Sequence, residues 1–129
     1  DGQSSRLSAL RGKVVLVNFW ATSCTTCVAE MPKLVATHNK FAAQGFETLA
    51  IAMSYDPPDY VRNYARNNAL PFKVAVDASG EAAKGFDDVR LTPTTFLIDK
   101  RGQVVQKFLG EPDFDKLPAR IAQLLAEPA

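Results

Sequence analysis

Histidine, cysteine and tryptophan are scarce in this sequence. The 129 residues include one histidine, two cysteines and one tryptophan. A zinc site needs about four ligands, and beyond the two cysteines only His38 is available. His38 lies on a predicted helix more than ten residues after Cys27, so it points away from the thiols. We therefore expect no metal site, and we expect His38 to be a histidine at the edge of the core.

An excess of charge and long apolar runs are also missing. The 15 basic and 14 acidic residues give a formal charge of +1. No basic run is interleaved with aromatic residues, which excludes a nucleic-acid surface. Apolar runs such as 14–17 and 94–98 are far shorter than the roughly 20 residues that span a bilayer, so we expect a soluble chain. No signal-like segment follows Asp1, and we expect any leader or anchor to have been removed or never to have existed.

The remaining composition fits one α/β domain. With 47% hydrophobic residues, the chain can bury a core as a single domain over 1–129. Apolar strand patterns alternate with helical spacing in the first half, which is typical of a parallel sheet. Lys-Arg-Gly at 100–102 lies between two strand patterns as a hairpin turn, and Ser79 is the candidate cap of a short helix. The predicted strands are 13–20, 46–53, 72–76, 94–99 and 103–109, and the predicted helices are 24–43, 59–68, 79–86 and 113–126.

The stretch WATSCTTC, residues 20–27, joins both cysteines to the only tryptophan. Its CxxC follows a predicted strand and opens a predicted helix, whose N–H groups and dipole favour an anion at Cys24. The pKa of such a thiol falls from about 8.5 toward 7 or below, and the thiolate is the nucleophile of disulfide exchange. Cys27, one turn later, can attack a mixed disulfide at Cys24 and release the product. We therefore predict a nucleophile and a resolving thiol, with Trp20 packed beside them as a shield.

Two other uses of the cysteine pair stay open. A structural disulfide would close a loop of about four residues, which removes little entropy from the unfolded chain. A copper chaperone would need a nearby histidine or another sulfur ligand, and the one candidate, Met31, lies at a core position of the predicted helix. The residues favour a reactive dithiol over both.

Three ordered blocks carry a family resemblance over nearly the whole chain. LSALRGKVVLVNFWAT, CVAEMPKL and RLTPTTFLIDKRGQVV resemble the thioredoxin superfamily, in particular its TlpA-like and ResA-like bacterial thiol-disulfide oxidoreductases. The resemblance implies a thioredoxin-like fold, which is a central mixed sheet flanked by helices, parallel in its first half and closed by an antiparallel C-terminal hairpin. A helix and a strand are inserted after the second core strand. It also implies a cis peptide bond at Thr92-Pro93 beside the CxxC, where the backbone of Thr92 could pair with a substrate segment.

One departure from the family concerns the proton of Cys27. Many thioredoxins have a buried aspartate where this chain has Asn18, and an amide cannot accept that proton. The ResA-like branch has an acidic residue after the second core strand, which here is Asp56, a candidate proton acceptor. Asp56-Pro57 is equally typical of a helix start with Asp56 as N-cap. Both roles of Asp56 stay open.

Other departures surround the cysteines. Thr25 and Thr26 stand where Gly-Pro is common, and two β-branched residues alter the N–H groups that face Cys24. The pKa of Cys24 should shift accordingly, in a direction that the sequence does not reveal. Ser23 stands where the family often has a second tryptophan, so it makes the rim more polar or helps to cap the helix.

These observations predict a monomeric thiol-disulfide oxidoreductase that uses no dissociable cofactor and acts on protein thiols and disulfides. The resemblance implies a periplasmic or otherwise extracytoplasmic location in a bacterium, with tethering through a membrane segment that is absent from this chain. It implies a reductive role, with electrons passing from a membrane-embedded thiol transporter to apocytochrome c or another exported protein. The predicted catalytic residues are Cys24, Cys27 and Asp56, and the predicted substrate-binding residues are Trp20, Thr25, Thr26, Thr92 and Pro93.

Three rival functions remain at this point. A cytoplasmic thioredoxin reduced by a flavoprotein reductase would have the same chemistry, and the native leader sequence would distinguish it. A peroxiredoxin needs a Pro-x-x-x-Thr-x-x-Cys pattern, and no proline stands at that spacing here. A metallochaperone would bind copper tightly with both thiols, and nothing in the sequence favours it.

Overall fold

The described part of the chain builds one sheet with helices on its faces. A computed structural model describes residues 10–128. The predicted domain, 1–129, also includes residues 1–9 and 129, which lie outside the described residues. The elements are β1 (Val14–Trp20), α1 (Thr25–Phe41), β2 (Phe46–Ala52), α2 (Pro58–Asn67), β3 (Lys73–Val76), α3 (Glu81–Gly85), β4 (Thr94–Ile98), β5 (Val104–Leu109) and α4 (Leu117–Ala126).

The sheet is parallel in its first half and antiparallel in its second. The strand order is β3-β2-β1-β4-β5. β1 pairs in parallel with β2, and β2 pairs in parallel with β3. β4 is antiparallel to β1, and β5 is antiparallel to β4. The α/β class, the mixed sheet and the C-terminal hairpin are therefore confirmed, and α2 with β3 forms the insertion that adds an edge strand beside β2.

β1 lies at the centre of the sheet because its side chains can be buried on both faces. All seven of its residues are buried, as a nearly continuous apolar run predicts. Leu16 and Trp20 point to one face, where they pack with residues of α1, α2 and α4. Val17 and Phe19 point to the other face, toward the residues around α3. The central strand thus ends directly at the CxxC, on a rigid support.

The start of α3 differs from its prediction. The carboxylate of Asp77 accepts hydrogen bonds from the backbone N–H groups of Ala82 and Ala83, at 3.0 and 2.9 Å. The hydroxyl of Ser79 reaches only the N–H of Glu81, at 3.3 Å. Ser79 as the cap was therefore wrong, because a carboxylate with two acceptor oxygens at the end of β3 binds the free donors of the turn instead.

The last helix is shorter than predicted. It starts at Leu117, four residues after the predicted start at Asp113. The intervening residues form a turn in which the side chain of Asp113 accepts from the N–H of Asp115, and the backbone carbonyl of Asp113 accepts from the N–H of Lys116. Local hydrogen bonds of an aspartate compete with helix formation in this way.

Candidate active site

Cys24 and Cys27 form a disulfide at the N-terminus of α1. Their Cα atoms are 5.2 Å apart. Cys24 is the N-cap residue, and its Sγ accepts a hydrogen bond from the backbone N–H of Cys27 at 3.2 Å. The prediction that the CxxC opens a helix is confirmed. Ser23, considered as a cap, is exposed and is not the N-cap.

The two sulfurs differ in their access to solvent. Cys27 is fully buried in the core that α1 shares with β1. Cys24 is only partly buried, and Thr25 and Thr26 between the cysteines are exposed. An incoming sulfur can therefore reach Cys24 and not Cys27.

Trp20 lies in the core and not at the surface of the site. The side chain is fully buried and belongs to the same apolar cluster as Cys27. Its ring centroid lies 5.3 Å from that of Tyr64 on α2. Its packing beside the thiols stays a prediction, which this shared cluster supports. With no exposed surface, Trp20 contributes to the predicted groove only as its support.

The Thr92-Pro93 bond is cis in the structure, as the family resemblance implies. Thr94 of β4 pairs with Phe19 of β1, so the loop before Thr94 lies at the same end of the sheet as the CxxC. The carbonyl of Pro93 accepts a hydrogen bond from the N–H of Gly110 at 2.9 Å, which holds the loop against the end of β5. Pro93 is buried and Thr92 is partly exposed, so the backbone at Thr92 lies at the surface of the site.

Glu30 is a buried carboxyl close to the thiols, and sequence reasoning missed it. It lies three residues after Cys27 on α1, on the same helix face, and has no exposed surface. Its Oε1 accepts a hydrogen bond from Nδ2 of Asn18 at 3.0 Å, and the same amide donates to Oγ1 of Thr95 at 2.9 Å. The signal in the sequence was a single acidic residue within the apolar stripe of Cys27, Met31 and Leu34.

The surroundings of Glu30 favour its neutral form. Burial raises the pKa of Glu30 from its ordinary value near 4.5 to about 7, against the hydrogen bond from Asn18, which lowers it. The charge of Glu111 raises this pKa further, and that of Lys33 lowers it. Oε2 of Glu30, Oδ1 of Asn18 and Nε1 of Trp20 are buried without a hydrogen-bond partner. A carboxyl that titrates near neutral pH inside a protein can take up and release a proton under physiological conditions.

Asp56 is also buried beside the CxxC, but in a different setting. Its Oδ2 accepts from the backbone N–H of Thr22 at 2.7 Å, and its Oδ1 accepts from the Thr22 hydroxyl at 2.6 Å. The N-cap of α2 is Pro57, and no side chain caps that helix. Asp56 therefore holds the segment just before Cys24 instead of capping α2, and its predicted role as a proton acceptor stays a prediction.

Comparison with known proteins places this site in a family. A family model described as Redoxin matches residues 1–121. The chain belongs to the redoxin family. The thiol-disulfide oxidoreductase ResA of Bacillus thuringiensis is 38% identical to this redoxin over 118 residues, which are 91% of the chain and 66% of that relative. The chain thus spans about two thirds of the length of the curated relative it matches.

Solved structures agree with the fold of this redoxin. A Neisseria meningitidis protein assigned to the thioredoxins is 41% identical with a TM-score of 0.85, over 91% of this chain and 77% of that one. A secreted thiol-disulfide isomerase from Corynebacterium glutamicum is 25% identical with a TM-score of 0.88, over 98% of this chain and 79% of that one. The predicted thioredoxin-like fold is confirmed, and the predicted enzyme class is the class stated in the name of the ResA relative.

His38 of this redoxin is a core residue, as predicted. It is buried, and its Nδ1 lies 3.0 Å from the Thr48 hydroxyl. Its ring packs edge-on to that of Phe72, with centroids 5.5 Å apart, and burial lowers its pKa. Between residues 10 and 128, no group of three His, Cys, Asp or Glu side chains could hold a metal ion. Within the same residues, no helix is long and apolar enough to cross a membrane.

Proposed function

We propose that this redoxin is a thiol-disulfide oxidoreductase that reduces disulfides of exported proteins through Cys24 and Cys27. The observation that carries the proposal is the difference in access between the two sulfurs at one helix N-terminus, with Cys24 partly exposed and Cys27 fully buried. A structural disulfide has no need of this asymmetry. A pair that first forms and then resolves a mixed disulfide needs one accessible sulfur for the first step, and here that sulfur is Cys24.

The reaction consists of two exchanges. In the reduced protein, the Cys24 thiolate attacks one sulfur of the client disulfide, so a Cys24–client bond forms and the other client sulfur leaves as a thiolate. Cys27 then loses its proton and attacks Sγ of Cys24, which forms the Cys24–Cys27 disulfide and releases the second client thiolate. The two client thiolates take up two protons. The client gains two electrons, and this protein loses them.

Glu30 is the group best placed to accept the proton of Cys27 in the second exchange. The fully buried Cys27 must lose its proton inside the protein, and Glu30 lies one helical turn away on the same face. With a pKa of about 7, Glu30 can accept a proton at neutral pH and release it again. The amide of Asn18, which also donates to Thr95, keeps one oxygen of Glu30 in place.

The rim of the site supports a polypeptide as substrate. Three large apolar side chains at the same end of the sheet as the disulfide are exposed: Tyr55 by 62%, Leu91 by 71% and Leu109 by 69%. Tyr55 adjoins Asp56, which binds the segment before Cys24, Leu91 precedes the cis proline loop, and Leu109 adjoins Gly110, which binds Pro93. An extended client segment with apolar side chains would bury these groups, while Thr25, Thr26 and the backbone of Thr92 would contact the residues next to its disulfide.

The physiological setting is the finer part of the proposal. We place the protein in the periplasm or another extracytoplasmic compartment of a bacterium, as a monomer that needs no dissociable cofactor. Its reductant would be a membrane-embedded thiol transporter, and its clients would be apocytochrome c or other exported proteins. The family resemblance and the secreted structural neighbour support this setting.

A trapping experiment tests the proposed roles of the cysteines. Cys27→Ser should accumulate mixed disulfides with clients at Cys24, because the resolving sulfur is gone. Cys24→Ser is the matched control and should trap none, because Cys27 is buried. Trapping by Cys24→Ser alone would reverse the two roles, and trapping by neither would refute the proposal.

The reduction potential of the pair tests the direction of electron flow. A potential well below about −200 mV is expected for a reductase, whereas a value near −120 mV would indicate an oxidant. Equilibration of the Cys24–Cys27 pair in a defined redox buffer measures it.

Asp56 remains the alternative proton acceptor. If it served this role, Asp56→Asn would change the pH profile of Cys27 reactivity, and an unchanged profile would refute it. Glu30→Gln in the same assay should remove the dependence near pH 7.

A further inference from the structure

An ion pair lies at the surface between the helix that carries the thiols and the segment that holds the proline loop. Nζ of Lys33 and Oε1 of Glu111 are 3.3 Å apart, and the two side chains are 55% and 38% exposed. Lys33 follows Glu30 by one turn on α1. Glu111 follows Gly110, which donates its N–H to the carbonyl of Pro93. The pair therefore links α1, which carries the cysteines, to the segment that holds the cis-proline loop.

The two members of the pair act on Glu30 with opposite signs. The negative charge of Glu111 disfavours a second negative charge on Glu30, and the positive charge of Lys33 favours it. Because Lys33 and Glu111 are bound to each other, their effects on Glu30 partly cancel. Removal of either one leaves the other uncompensated.

No other charged group described near Glu30 has this effect. On β1 and β4 its neighbours are the neutral side chains of Asn18 and Thr95. On α1 its titratable neighbour is Cys27, the proposed proton donor. Asp56, the other buried carboxylate near the thiols, is bound to Thr22.

We propose that Lys33 and Glu111 are positioning residues that adjust, from the protein surface, the pH range in which Glu30 exchanges a proton with Cys27. This inference rests on the proton role of Glu30 in the proposed function. Neither residue touches the reacting sulfurs. Both act through the electrostatic potential at the Glu30 carboxyl.

The test is a titration of Glu30 itself in the oxidised protein. The carboxyl carbon of Glu30 is followed by ¹³C NMR, and Glu30→Gln identifies its resonance. Glu111→Gln should move the midpoint to lower pH by a few tenths of a unit, and Lys33→Gln should move it to higher pH by a similar amount, because both charges are partly screened by water. The double variant should fall between the two.

A second measurement and a control ion pair complete the experiment. The rate at which Cys27 closes on a Cys24–glutathione mixed disulfide should show the same shifts in its pH profile. Lys13 and Glu47 form a comparable surface pair, 3.4 Å apart, at the start of β1 and β2. Lys13→Gln and Glu47→Gln should leave the Glu30 midpoint in place.

The outcomes separate the two proposals. If Glu30 titrates near pH 7 and neither Glu111→Gln nor Lys33→Gln moves its midpoint, or both move it in the same direction, this inference is wrong and the proton role of Glu30 stands. If the pKa of Glu30 is near its ordinary value of 4.5, the proton role fails as well. It also fails if Glu30→Gln leaves the pH profile of disulfide closure unchanged.

Discussion

Glu30 and Asp56 are two carboxyl groups close to one disulfide, and they are almost equally buried, with 0% and 3% of their surface exposed. Asp56 has a hydrogen-bond donor on each oxygen, and both donors come from Thr22. Glu30 has one donor, from Asn18, and its second oxygen has no partner. The two residues thus differ in hydrogen bonding and not in depth.

This difference indicates what burial does to a carboxyl group. Loss of water disfavours the anion, and at Glu30 this effect outweighs the single hydrogen bond from Asn18. Both oxygens of Asp56 accept hydrogen bonds from Thr22, whereas Oε2 of Glu30 has no hydrogen-bond partner. Asp56 is suited to fasten the segment before Cys24, and Glu30 is suited to serve Cys27.

The largest expected effect that separates the two carboxyls is the pH dependence of stability at Glu30. Its pKa is raised from near 4.5 to about 7 by burial, so the folded chain keeps a proton that the unfolded chain loses in this window. Stability of the wild type should therefore fall as the pH rises from about 4.5 to 7. Glu30→Gln cannot ionise and should be more stable than the wild type at pH 8 by on the order of 3 kcal/mol, with little difference at pH 4.

Urea unfolding of the oxidised protein at the two pH values measures this effect. Asp59→Asn is the control, because the Asp59 side chain is 81% exposed, and it should show no such pH dependence. An equal stability difference for Glu30→Gln at pH 4 and pH 8 would contradict the raised pKa.

A smaller and opposite effect is expected at Asp56. Asp56→Ala removes the acceptor of both Thr22 donors and should lower the free energy of unfolding at pH 7 by roughly 2 kcal/mol, since hydrogen bonds to a charged group are strong. Chemical denaturation measures it, with exposed Asp59→Ala as the comparison. A stabilising change at pH 7 would mean that the two hydrogen bonds from Thr22 to Asp56 do not stabilise the fold.

The smallest effect is expected at the partner of Asp56. Thr22→Val removes the hydroxyl donor but keeps the backbone N–H, so the loss should be roughly 1 kcal/mol. Thr22→Ser keeps the hydroxyl and should retain most of the stability. If the Thr22→Val and Thr22→Ser variants are equally stable in urea unfolding, the hydrogen bond from the Thr22 hydroxyl to Asp56 contributes nothing to stability.

Local pattern was enough to predict much of this fold. The apolar run of β1, the CxxC at a helix start and the turn at 100–102 depend on residues close together in the chain, and the structure has all three. The cis bond at Thr92-Pro93 followed from the family resemblance, because no local signal separates a cis proline from a trans one.

The polar contacts of the site could not be predicted in the same way. Asp56 binds a residue 34 positions earlier, and the amide that holds Glu30 also reaches a residue 77 positions away. Local rules favoured Asp56 as a helix cap and did not single out Glu30 among the residues of α1. Only the assembled sheet brings these donors and acceptors together. Tertiary contacts therefore determine the hydrogen-bond partners of both Asp56 and Glu30.

The position of Trp20 has an optical consequence. It is the only tryptophan of the chain, and it is buried in the same cluster as the sulfur of Cys27. A disulfide next to an excited indole quenches its fluorescence by accepting an electron, and a dithiol quenches it less. We therefore expect the emission of this one side chain to rise when the Cys24–Cys27 pair is reduced, without any added label.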